Sequence, residues 1–109
     1  MATNTVGLAL TTSMQDIGSA VPSGKVRYYT MIHVANVDGT NDVDATVQWT
    51  DASNSNTAYK LVHNLTVAKK DARPAMVGAL ALAAGDKLQG QASADGDAVV
   101  TATYYEEDA

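Results

Sequence analysis

Between Lys25 and Asn36 the chain reads KVRYYTMIHVAN, twelve residues without glycine or proline and rich in β-branched and aromatic side chains. Such a run predicts a strand. Strict alternation sets Val26, Tyr28, Thr30, Ile32 and Val34 on one face and Arg27, Tyr29, Met31, His33 and Ala35 on the other. Both faces carry large side chains, which suits a central strand covered on both sides or one facing a neighbouring subunit. Period-2 patterning recurs elsewhere. Val6, Leu8 and Leu10 alternate with Gly7, Ala9 and Thr11; Val43 to Thr50 places Val43, Ala45, Val47 and Trp49 together, with Trp49 the expected main anchor of the core. Thr57–Val67, Lys87–Ser93 and Ala98–Tyr105 follow the same rule. Ala75–Ala84 mixes helix formers with strand context and reads as a strand, because Pro74, Gly78 and Gly85 interrupt it.

Turn chemistry separates these runs: NVDGTND after Asn36, DASNSN after Thr50, Gly85-Asp86, and Asp95-Gly96-Asp97. About seven or eight antiparallel strands at this spacing predict an all-β chain, a single-domain, jelly-roll-like β-sandwich. Residues 1–14 are expected to form an N-terminal arm or first strand, and residues 15–109 the sandwich. Its core is expected to be thin. Val, Leu, Ile and Phe supply 21 of 109 residues, while alanine supplies 19. With a net charge of only −5 this scarcity points to a small folded domain that gains burial from a neighbour, not to disorder.

Several function classes are disfavoured. Twelve acids against seven bases do not suit sequence-independent phosphate binding, so no nucleic-acid partner is expected. Without cysteine there is no disulfide frame, thiolate zinc site or cysteine nucleophile. The first ten residues lack a signal-peptide pattern, and no run of apolar residues is long enough for a membrane span, so synthesis in a cytoplasm is expected. The only histidines, His33 and His63, lie on separate strands and read as ordinary strand residues, not as ligands or an acid–base pair. Asp38, Asp42 and Asp44, like Asp95 and Asp97, fail the calcium-loop spacing and read as turn residues satisfying backbone groups. Catalytic residues, a metal site and a cofactor are therefore all expected to be absent, and the chain is not expected to be an enzyme. Lys69, Lys70 and Arg73 form the basic cluster, a plausible dock for an acidic protein surface.

Three segments carry a resemblance: Val34-Ala35-Asn36 before a glycine turn, Ala84-Gly85-Asp86, and the closing Tyr104 to Glu107. Their order over residues 25–107 resembles the small β-sandwich virion proteins of tailed bacteriophages. These include capsid decoration (cement) proteins and related neck or fibre modules. The resemblance implies a homodimer or homotrimer made in the host cytoplasm. It would sit on the capsid surface of the virion, bind the major capsid protein and stabilise the head. A neck, fibre or receptor-binding module is the alternative it leaves open. Val6, Leu8 and Leu10 on the arm, with Lys69, Lys70 and Arg73, are the expected subunit or capsid contacts.

Overall fold

The computed structural model describes residues 2–109 and contains nine strands: β1 (Asn4–Ala9), β2 (Gln15–Asp16), β3 (Lys25–Asn36), β4 (Val43–Asp51), β5 (Thr57–Val67), β6 (Ala72–Pro74), β7 (Leu80–Ala83), β8 (Lys87–Ala92) and β9 (Ala98–Asp108). Their pairing follows from one long antiparallel hairpin. β4 pairs with β5, β3 with β6 and β7, β2 with β8, and β1 with β9. Rolling that hairpin brings β9 onto β3 and β8 onto β4. Two sheets result, β1-β9-β3-β6/β7 and β2-β8-β4-β5. That strand order is a jelly roll, a β-sandwich as expected. Ala75–Ala84 holds only the four-residue β7, and Pro74 closes the short edge strand β6, where its missing N–H is tolerated.

The core lies between the sheets, and the interior face of β3 changes parity. Arg27 and Tyr29 point inward, then Ile32, Val34 and Asn36 do. A bulge between Tyr29 and Met31 supplies the extra residue, so Thr30 absorbs the slip. Strict alternation had put Tyr28 with Ile32 and Val34; the bulge turns Tyr28 outward and brings Arg27 inside. Trp49 is also corrected. It is half-buried at the sheet margin, stacked on Tyr59 at 5.1 Å. The largest fully buried side chains are Arg27, Tyr29 and Leu10.

Residues 4–9 are an edge strand of the chain's own sheet, so the expected arm lies docked against the sandwich here; Met1, its first residue, lies outside the described residues. Beyond β1, Leu10 crosses the interior toward β8. A Cβ added to Gly90 would meet Leu10 at 3.1 Å and Ile17 at 3.0 Å, so glycine makes room for both. The segment after β2 closes one end of the sandwich through buried Ile17 and Val21, whose N–H groups donate to the carbonyls of Leu88 and Asp86.

Candidate functional site

Two hydrogen-bonded knots explain residues that stood out in the sequence. Asn36, 3% exposed, donates from Nδ2 to the carbonyls of Asn41 and Val67 and accepts from the Asp38 N–H, joining two loops at one end. Asp86 accepts from the Ala83 and Ala52 N–H groups, tying the β7–β8 turn to the loop after β4. Gly85 beside it has φ +88°, and a Cβ there would stand 2.9 Å from that of Ala52. Both knots are structural.

The acidic turns are likewise satisfied internally. Asp42 accepts from the Lys69 N–H, Asp44 from the Thr66 hydroxyl and Asp95 from the Thr12 N–H. Asp38 accepts from the backbone and side chain of Asn41 and from the Thr40 N–H. The Asn41 backbone bond leads in holding its carboxyl below the ordinary carboxylate value. Protonation therefore favours the unfolded chain. The stability this group contributes is fully present above the unfolded pKa and is lost as pH falls through the lower folded one. In acid titrations followed by circular dichroism, Asp38→Asn is expected to lose stability less steeply below about pH 4 than the parent.

Among the described residues no three His, Asp or Glu side chains converge on a possible metal position. Nor is any helix among the described residues long and apolar enough to cross a membrane. His33 and His63 belong to different sheets. Three outer surfaces differ sharply.

The outer face of the four-stranded sheet is polar from edge to edge. Lys60 on β5 donates to Gln48 on β4 at 2.7 Å, Gln48 to Gln89 on β8 at 2.8 Å, and Gln89 to Asp16 on β2 at 2.8 Å. Every strand contributes one member, and all donors point the same way. Lys60, Gln48, Gln89 and Asp16 thus satisfy one another across the face.

The outer face of the five-stranded sheet is the opposite. Register places Thr5, Gly7 and Ala9 of β1 beside Thr103, Thr101 and Val99 of β9. On the other side of β9 stand Tyr28, Met31, His33 and Ala35 of β3, followed by Ala81 and Ala83 of β7. None of these is an acid, lysine or arginine. Tyr28 stacks on Tyr105 at 5.1 Å, and Met31 is 38% exposed. Glu107, beside Val26, is a charged group at the far corner. The paired tyrosines of the sequence thus divide as alternation requires, with Tyr29 and Tyr104 facing inward.

The third surface is an apolar groove of about 360 Å³ on the open side of the sandwich, between Leu61 and Val62 of β5 and the β6–β7 loop, Pro74 to Leu80. Val77 at its rim is 97% exposed. Lys69, Lys70 and Arg73 are all exposed; Arg73, next in sequence to Pro74 of the groove, donates to the Thr66 carbonyl at 3.2 Å, while Lys70 lies toward the β3–β4 turn, its Cε 3.7 Å from where a Cβ on Gly39 would stand. The groove was missed because it is assembled from two segments, neither apolar enough alone; the run Ala75-Met76-Val77 directly after Arg73-Pro74 was the available signal. Of the expected arm contacts, Leu10 is fully buried in this chain's own core, and Val6 and Leu8 are half-buried against it.

The fold is a jelly-roll sandwich with three outer surfaces of different chemistry. It is similar to a chain in the acidic stable capsid structure of Helicobacter pylori bacteriophage KHP30, with a TM-score of 0.55 and 12% sequence identity, over 99% of this chain and 93% of that one. At this identity the likeness is one of fold. No protein-family model matches the chain, and no curated protein is significantly similar to it.

Proposed function

We propose that this chain is a structural component of a bacteriophage virion, a decoration protein that binds the outer capsid surface and stabilises the head without catalysing a reaction. The observation that carries this reading is the end-to-end likeness in fold to a chain of a phage capsid structure, covering nearly all of both chains. The exposed cations Lys69, Lys70 and Arg73, and the groove that begins at Pro74 after Arg73, support it from the side of chemistry. Exposed cations on a chain of net charge −5 suit an acidic patch of the capsid protein, and a groove lined by apolar side chains suits an apolar segment of it. A protein that binds assembled shell and not free subunits shifts the equilibrium toward the shell by mass action.

In purified virions the chain is expected at a copy number comparable to that of the capsid protein. A handful of copies, as at a single vertex, would favour the neck or fibre reading instead. Reversing the three charges (Lys69→Glu, Lys70→Glu, Arg73→Glu) is expected to weaken co-sedimentation with shells lacking the protein by about tenfold or more at low salt, from several rim charges of up to about 1 kcal/mol each. Unchanged binding across salt concentrations would remove these cations from the interface.

A further inference from the structure

We infer that two copies of this chain pair face to face through the uncharged outer surface of the five-stranded sheet. The partner is a second copy, and the first argument is electrostatic. The chain carries a net charge of −5, so most ways of apposing two copies bring acids together. This face lacks charged groups across β1, β9, β3 and β7 except at the Glu107 corner. An antiparallel pairing about a two-fold axis keeps the two Glu107 side chains at opposite ends.

Shape is the second argument. Gly7, Ala35, Ala81 and the threonines of β9 leave a low surface, and stacked sheets with short side chains approach to about 10 Å. Four strand widths along the eleven residues of β9 give roughly 600 Å² per copy, at the threshold of a specific interface of about 1,200 Å² in total. Tyr28 stacked on Tyr105, one pair in from the Glu107 corner, and Met31 nearer the middle offer aromatic and thioether surface of the kind such an interface uses. The opposite sheet offers no equivalent, because pairing there would desolvate Lys60 and Asp16.

This pairing does not depend on the virion reading and is tested on the purified chain alone. Sedimentation equilibrium up to about 100 μM is expected to show a monomer–dimer equilibrium. Thr101→Arg, at the middle of the face, should weaken it by about a hundredfold or more, while Gln91→Arg on the other sheet leaves it intact. Because the chain has no cysteine, Thr101→Cys can be cross-linked by a short bismaleimide without further changes. It should yield covalent dimers where Gln91→Cys does not, a result that stands even if the arginine variant folds poorly. A wild-type monomer throughout, a dimer that survives Thr101→Arg, or equal cross-linking at both positions would each overturn the inference.

Discussion

Arg27→Ala should lower stability by about 3–5 kcal/mol, the cost of breaking a buried ion pair from one side. In a domain of this size that corresponds to a drop of roughly 15 °C or more in melting temperature. The guanidinium is 2% exposed and reaches Glu106 Oε2 from Nη2 at 3.0 Å and from Nε at 3.1 Å. Nη1 donates to the Ser19 carbonyl at 2.7 Å and to the Tyr29 hydroxyl at 3.3 Å, and Nη2 donates to the Ser19 hydroxyl at 3.2 Å. One face lies over the Tyr104 ring at 4.2 Å. Burial works against this charge, but hydrogen bonds with Tyr29 and Glu106 outweigh it and hold the pKa above the ordinary arginine value. Removing the side chain strands the Glu106 carboxylate, which is 23% exposed, along with the Tyr29 hydroxyl. Arg27→Met with Glu106→Gln should recover part of the loss, since the uncompensated charge is gone while the Ser19 carbonyl remains unpaired. Arg27→Lys should fall between, because an ammonium cannot reproduce the fork. Urea denaturation of the four chains measures all of this; a loss below about 1 kcal/mol for Arg27→Ala would mean that water fills the site at little cost.

That arginine marks the boundary of what alternation can reveal. Strand positions were legible because β-branched and aromatic residues cluster between glycine and acidic turns, and β3, β5 and β8 fall where the pattern put them. The jelly-roll arrangement was legible as a class from strand number and spacing. The interior was legible less well. A single bulge at Thr30 exchanges the faces of half a strand, and no local pattern announces it; only pairing against β9 does. So Arg27, an unremarked member of the supposed second face, is the largest buried side chain, and Trp49 yields the centre to Tyr29 and Leu10. The three segments behind the phage resemblance are the structural knots themselves: Asn36 joins two loops, Asp86 joins two turns, and Tyr104 with Glu106 holds Arg27. Such residues are demanded by a fold, whatever surface it carries. The outer faces were less legible, because each is assembled from strands distant in sequence, and an absence of charge becomes visible only once register aligns those strands.

Deleting residues 2–10 should leave the chain largely unfolded. The segment supplies all of β1, and with it the cover over β9: Val6 lies opposite Ala102 and Leu8 opposite Val100. Leu10 is fully buried, its N–H donates to the Ala98 carbonyl, and its own carbonyl accepts from Gly96. Leu10→Ala by itself should cost about 2–5 kcal/mol, since Gly90 has no side chain with which to refill the space. Losing Val6, Leu8 and the backbone ladder as well approaches the whole stability of a small domain, about 5–15 kcal/mol. A synthetic peptide of residues 2–14 added in trans should restore the sandwich, read as recovered near-ultraviolet circular dichroism from Trp49 and the tyrosines. The same experiment separates two roles for this segment. A truncated chain that keeps its melting temperature would show that β1 is dispensable in one molecule and free to add to a neighbour's sheet, as an arm does. Collapse with rescue by the peptide would show that the site β1 fills must be occupied, by this chain's own segment or by an identical one from an adjacent copy. An exchange of identical segments between copies would conserve every hydrogen bond of the β1–β9 ladder.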